Sequence, residues 1–401
     1  MARPALPPPR KRDFLWFLIA ALLPLPWIVA FNFQGLGLLP EMSVTLSGLA
    51  IVGAAFLLSW TTELAERDVP QALALLVLAL ASVLPEYAVD LHFAWKAGVD
   101  PSFAPYAVAN MTGANRLLIG LGWPSVALLA CWRTRKEFLT VDPRQRLEIR
   151  FLLLATIYSF FIPIGRHITL IDAAVLLGIF FAYVIAAMGG ESHEVELVGP
   201  AALIDHEFGD FGRRIWAILL FSFSAFVIFI SAEPFADGLV HVGRNHGIDE
   251  FLLVQWLAPV ASESPEFVIA LLFAIKRRGS VGLGALISSK VNQWTLLVGA
   301  IPIAYCVSAS SWHGLPLDAR QMEELWLTSA QSLLATILIA NLRIGRSDGI
   351  LLAVLFLGQL CFPNTKVRYF FIGIYLVAAT ALLLRPGHGG ARAFASLLRS
   401  R

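Results

Sequence analysis

Apolar runs of about twenty residues recur from one end of the chain to the other, separated by short polar segments rich in Pro, Gly, Lys and Arg. A helical run of that length matches the roughly 30 Å hydrocarbon core of a bilayer. The pattern predicts twelve membrane-spanning helices, at 14–32, 41–63, 71–95, 104–131, 149–165, 169–188, 214–241, 250–275, 280–308, 322–341, 347–363 and 367–384. The expected fold is therefore an all-α polytopic membrane protein. The opening MARPALPPPRKRD has no small-residue cleavage pattern after it, and a second span follows closely, so the first run reads as an uncleaved helix.

A hydrophobic fraction of 58% against 14% charged residues over 401 positions excludes a soluble globular fold. Cys131, Cys306 and Cys361 fall in separate apolar segments without paired spacing, which implies neither disulfides nor a zinc site and leaves them as core filler. No Walker-type glycine loop is present, so nucleotide-driven pumping is not indicated. No folded basic domain for nucleic acid is present either. The basic residues follow membrane sidedness instead. With the N-terminus in the cytoplasm, Arg67 and the clusters at 3–12, 133–150, 213–214, 276–278, 343–346 and 385–401 fall inside, and only Lys96, Arg166, Arg244, Arg320, Lys366 and Arg368 fall outside. That distribution supports twelve spans with both termini cytoplasmic, in the plasma (inner) membrane. Arg116 and Lys290 belong to neither side, because both lie within spans.

The chain contains itself twice. LALASVLPEYAVDLHFAW around residue 85 is matched by WLAPVASESPEFVIALLFA around residue 265. Each Pro-Glu is followed by a glycine-punctuated helix, ANMTGANRLLIGLGWP at 109–124 and GALISSKVNQWTLLVGAIP at 284–302. Asp172 and Asp348 then each open a later span. The predicted organisation is a tail and extra helix (1–40), a first five-helix repeat (41–188), a cytoplasmic linker (189–213), a second repeat (214–363) and an extra helix with a tail (364–401). The span with Glu86 runs outward and that with Glu266 runs inward, so the repeats are inverted, as in secondary transporters whose substrate site lies between two exchangeable halves.

A carboxylate at the bilayer centre costs at least about 2.5 kcal/mol. Pro85 and Pro265 lack the N–H that continues a helical ladder, so they are expected to break their helices beside Ser82 and Ser262. Freed carbonyls, serine hydroxyls and the carboxylates of Glu86 and Glu266 then form an oxygen-rich pocket suited to a hard cation.

At these residues the chain resembles the calcium/cation antiporter superfamily, the membrane region of sodium/calcium exchangers. ASVLPE (81–86) and ASESPE (261–266) stand for one element of its paired repeat, GANRLL (113–118) and SSKVNQ (288–293) for the other. The resemblance implies that Glu86 and Glu266 are the central cation-binding carboxylates, and that Ser82, Ser262 and Ser289 supply further oxygens. Leu118 and Gln293 stand where the superfamily has an Asn or Asp ligand. Glu263 has Val83 as its counterpart and so is an acid particular to this chain. Lys290 replaces an Asn, and Arg116 follows the matching Asn115.

The expected cation-binding site therefore holds Glu86, Glu263, Glu266 and Asp90, one turn beyond Glu86, with Gln293 at the superfamily's ligand position, together with the charge-compensating cations Lys290 and Arg116. The two cations are expected to fill volume that additional metal ions fill in typical exchangers, which lowers the number of ions carried and makes protons a candidate coupling ion. Arg116 snorkelling at the membrane edge is the alternative for that residue. Elsewhere, Glu233, Pro234 and Asp237 line the ion path or mark a kink. The linker acids and His193 read as a solvated segment rather than a regulatory metal site.

The expected function is secondary active antiport of inorganic cations, sodium, calcium or protons, with no resident cofactor and no enzymatic activity. Helices 41–63 and 214–241 slide to give alternating access. An uncoupled channel or sensor and an intramembrane metalloenzyme are the rival classes. Oligomeric state is not readable from the chain.

Overall fold

The structure is a computed structural model that describes residues 11–32, 38–66, 68, 83–188, 197, 199–362 and 364–384. Its helices are α1 (Lys11–Leu22), α2 (Leu25–Asn32), α3 (Pro40–Glu66), α4 (Leu84–Val99), α5 (Ala104–Leu117), α6 (Trp123–Thr134), α7 (Arg146–Ser159), α8 (Leu170–Met188), α9 (Pro200–Glu207), α10 (Asp210–His246), α11 (Glu250–Ile275), α12 (Gly279–Asn292), α13 (Val298–Ala309), α14 (Ala319–Ile339), α15 (Arg346–Cys361) and α16 (Thr365–Leu384). The four strands are very short: β1 (Phe138–Thr140), β2 (His167–Ile168), β3 (Leu315–Pro316) and β4 (Arg343–Gly345).

Among the described residues, nine helical stretches are long and apolar enough to cross a membrane. The chain is an integral membrane protein. Three of the twelve expected spans are not among the nine. Most of the first half of 71–95 lies outside the described residues, α14 carries Arg320, Glu323 and Glu324, and α15 has only 16 residues.

Contacts divide the chain into two units. In one (1–89, 184–253 and 260–265), α3 and α10 pack side by side along their length. Glycine permits the close approach: a Cβ at Gly48 would sit 2.9 Å from the Phe235 ring, and one at Gly238 2.4 Å from Val44. Trp27, Ala50, Ala54, Leu58, Val227 and Ile228 form the core of this contact. Both ends are tied. Just past α3, Asp68 receives two hydrogen bonds from Arg213, at 3.0 and 2.8 Å, and one from Arg214 at 2.9 Å. Arg213 also reaches Asp205 on α9 and Asp210, each at 2.9 Å. At the opposite end His246 meets Glu41 at 3.0 Å. A helix start lies beside a helix end in each case, so the pair is antiparallel. Pro234 lies inside α10 without ending it, and Glu233 is exposed.

The other unit (90–183, 254–259 and 266–401) contains α5 to α7, most of α8, and α12 to α16. Asp172 and Asp348, both read as opening a span, do so as helix-capping acids. Asp172 accepts from the Thr169 N–H (2.7 Å), the Thr169 hydroxyl (2.6 Å) and the Tyr158 hydroxyl (2.7 Å). Asp348 accepts from the Gly345 N–H at 2.7 Å. Each satisfies donors that a helix start leaves open. β1 pairs antiparallel with β4, and β2 with β3, so loops from the two halves of the sequence are joined crosswise.

A π turn at Leu118–Gly122 joins α5 to α6, and a second at Gln293–Leu297 joins α12 to α13. The two begin at Leu118 and Gln293, the positions aligned in the sequence. Such bulges inside α-helices concentrate at functional sites.

Candidate functional site: buried charges on the π-turned helices

α4 opens at Leu84 with Pro85 in its first turn, where no N–H is needed, and places Glu86 there, buried at 1% exposure. A carboxylate suits the positive end of a helix. Ser82 lies outside the described residues. The second copy differs from expectation: α11 runs unbroken from Glu250 to Ile275, through Pro259 and Pro265. A helix already packed along its length tolerates the loss of single bonds in its ladder. Each proline frees one carbonyl four residues back, and the Ser264 hydroxyl turns inward to the Val260 carbonyl. The carbonyl freed by Pro259 is that of Gln255. Gly113 of α5 comes so close to it that a Cβ there would lie 1.8 Å from the oxygen. The Gln255 amide also reaches the Thr112 hydroxyl at 3.4 Å.

Ser262 and Glu263 are buried, the latter completely, and Glu266 is half-buried. The Ser289 hydroxyl is hydrogen-bonded to Glu266 and accepts from the Gln293 amide at 3.3 Å. Three expected ligands, Glu266, Ser289 and Gln293, therefore meet at the end of α12. Asp90 is fully buried and accepts from the Asn110 amide of α5 at 2.9 Å.

Lys290 is fully buried. Its ammonium donates to the Asn115 side-chain oxygen at 2.6 Å and stands 4.3 Å from the centre of the Trp294 ring. The aligned positions of the two glycine-rich helices, Asn115 and Lys290, thus touch.

Arg116 departs from expectation. It neither snorkels nor pairs with Glu86, Glu263 or Glu266. It is 3% exposed, pairs with Glu324 at 2.6 Å and lies 4.9 Å over Trp256. Glu324 also meets Arg368 of α16 at 2.8 Å, and Arg368 meets Glu323 at 3.2 Å. Two arginines and two glutamates balance in a buried network, as buried charges require. Gln331, two turns along α14 from Glu324, donates to the Arg116 carbonyl at 3.1 Å, and Gln359 donates to Gln331 at 3.1 Å. Sequence reasoning did not name Glu323, Glu324 or Arg368 for this role. The available signal was an acidic pair at the head of an apolar span.

Of the linker residues, His193, Glu194 and Glu196 lie outside the described residues. Asp205 and Asp210 are held by Arg213, and His206 and Glu207 form an exposed pair at 3.5 Å. No cluster of three metal-ligating side chains occurs among the described residues. Cys131 and Cys306 are buried, whereas Cys361 is exposed rather than core.

The sodium/calcium exchanger protein family model matches the chain twice, at 42–189 and 216–363. The chain belongs to that family. It is a membrane antiporter of the calcium/cation class. A solved H+/Ca2+ exchanger, CAX, is 44% identical, covers 97% of this chain and 98% of its own, and superposes with a TM-score of 0.91. The sodium-calcium exchanger NCX_Mj shares the fold at 19% identity and a TM-score of 0.52, over 88% of this chain and 99% of its own. CaxA of Alkalimonas amylolytica is 22% identical over 296 residues, 72% of this chain and 86% of that protein.

Proposed function

We propose that the protein exchanges calcium for protons, with Glu86 and Glu266 as the central carboxylates and Ser82, Ser262, Ser289, Gln293, Glu263 and Asp90 as supporting polar groups. Calcium prefers several oxygen ligands, carboxylates foremost. The same carboxylates neutralise by taking up protons when the metal leaves, so that neither stays a bare charge in a low dielectric. Alternating access comes from movement of the α3/α10 pair, in a membrane whose cytoplasmic side holds both termini.

The observation that carries the choice of protons over sodium is Lys290. It is fully buried and hydrogen-bonded to Asn115, on the same helix as Ser289. A fixed positive charge there takes the electrostatic place of a sodium ion, leaving fewer exchangeable cations. The likeness to an H+/Ca2+ exchanger over nearly the whole chain supports the same reading.

The test is calcium uptake by proteoliposomes under an imposed pH or sodium gradient. Uphill calcium movement driven by the pH gradient, lost in both Glu86→Gln and Glu266→Gln, is the expected result. Uptake driven by sodium alone, or full activity in both variants, refutes the proposal.

A further inference from the structure

A polar seam approaches the Ser289–Glu266 pair from the other side of α12, on helices to which no role has been assigned. Glu148 lies in the first turn of α7, beside the strongly basic 133–150 segment, and one carboxylate oxygen is buried without a hydrogen-bond partner among the described residues. It faces the Tyr183 hydroxyl of α8 closely enough for the two to interact electrostatically, and Tyr183 is itself hydrogen-bonded to Ser288 of α12. Gln145 closes the outer end, its amide 2.9 Å from where a Cβ on Gly284 would be. Ser288 precedes Ser289, whose hydroxyl bonds Glu266. Consecutive helical residues point about 100° apart, so this pair of serines carries the polar seam around α12 from the α7/α8 side to Glu266.

The depths along the three helices increase stepwise. Glu148 lies in the first turn of α7, Tyr183 five residues before the end of α8 and Ser288 in the second half of α12, and the sidedness read from Lys and Arg puts the α7 start, the α8 end and the α12 start in the cytoplasm. An acid with an unsatisfied oxygen in an apolar helix layer is costly, and intramembrane acids of this kind mark functional sites by default.

We propose that Glu148 is the proton-collecting residue on the cytoplasmic side, and that Tyr183 and Ser288 relay its proton toward the site. This rests on the proton-coupled reading above. Glu148 takes a proton from water and becomes neutral. It then returns to carboxylate as the Tyr183 oxygen accepts that proton and releases its own to Ser288, which in turn releases its hydroxyl proton toward the Ser289–Glu266 pair, so each hydroxyl ends neutral and the proton is bound at Glu266. Tyr183 from α8 and Asp142 from the turn before α7 are the titratable groups that act on Glu148, and α12 brings Gly284 and Ser288 to the seam.

The experiment compares two fluxes in sealed vesicles containing the full chain: pH-driven calcium transport, and calcium-for-calcium exchange, which moves no proton. In Glu148→Gln the first should fall at least ~10-fold, in keeping with the worth of a positioned proton-transfer group, and the second should be unchanged. Tyr183→Phe should act in the same direction, and Glu148→Asp should restore most of the flux. Equal loss of both fluxes, or loss of neither, overturns the proposal while leaving proton coupling intact. A parent protein that exchanges calcium without moving protons overturns the proton-coupled reading itself, and the relay with it.

Discussion

Replacing Arg368 by methionine isolates the buried charge network from everything that touches a cation. The side chain keeps an unbranched apolar stem but loses its contacts at 2.8 Å to Glu324 and 3.2 Å to Glu323, leaving two adjacent acids to share Arg116. All four side chains are less than about one-tenth exposed, so water does not compensate. Breaking such a pair from one side costs about 3–5 kcal/mol, because the remaining charge stays buried. An unfolding entropy of about 2.1 cal/mol/K per residue over the 401 residues gives about 0.8 kcal/mol/K, hence a fall of about 4–6 °C in Tm. Thermal unfolding of the detergent-solubilised protein reads this directly. Combining Arg368→Met with Glu323→Gln removes one charge of each sign and should recover most of the loss, since removing both partners is far cheaper than orphaning one. A single variant within about 1 °C of the parent, or a double variant that falls further than the single, refutes the reasoning.

Lys290→Met should change the number of charges moved per calcium and the pH dependence of transport, read from paired calcium and current measurements; parental values for both exclude a fixed-cation role. Gly113→Ala should lose about 3 kcal/mol or fail to fold, because its methyl would lie 1.8 Å from a backbone oxygen that cannot swing away, and its yield and Tm report this. Burial pushes the Asp68 carboxyl up, but hydrogen bonds from Arg213 and Arg214, with their charge, outweigh it and hold the group below its ordinary value. Its contribution to stability is therefore present above the ordinary carboxylate value of about 3.9 and is lost as pH falls below it. Arg213→Gln should lower Tm at pH 7 and flatten its decline toward about pH 3.5, as scanning across that range will reveal.

What the sequence made readable was whatever repeats. The twin Pro-Glu elements, the paired glycine-rich helices and the capping acids Asp172 and Asp348 each occur twice, and the repetition singles them out without any contact being known. Features outside the repeat were opaque. Arg368 belongs to an appended helix and counts, by its position near a span end, as one more loop cation. Its partners lie 44 and 45 positions away in α14, and Arg116 is more than 200 positions from Glu324. Nothing in local spacing connects such residues, because a buried charge chooses its partner through packing. Pro265 was opaque for a different reason. A proline removes one hydrogen bond and leaves to tertiary packing whether the helix bends or continues, and here α11 continues. The π turns were likewise hidden, since one inserted residue changes no hydrophobic pattern, yet they begin at the two positions, Leu118 and Gln293, where this chain departs from the superfamily's ligand.

The crossed strand pairs, small as they are, have a bearing on how the chain can be made. β1 finds its partner in β4 and β2 in β3, so each half of the polypeptide closes a seam opened by the other, on loops far from the linker at 189–213. Two separately translated polypeptides, parted there and inserted into the same membrane, would each bring one strand of both seams.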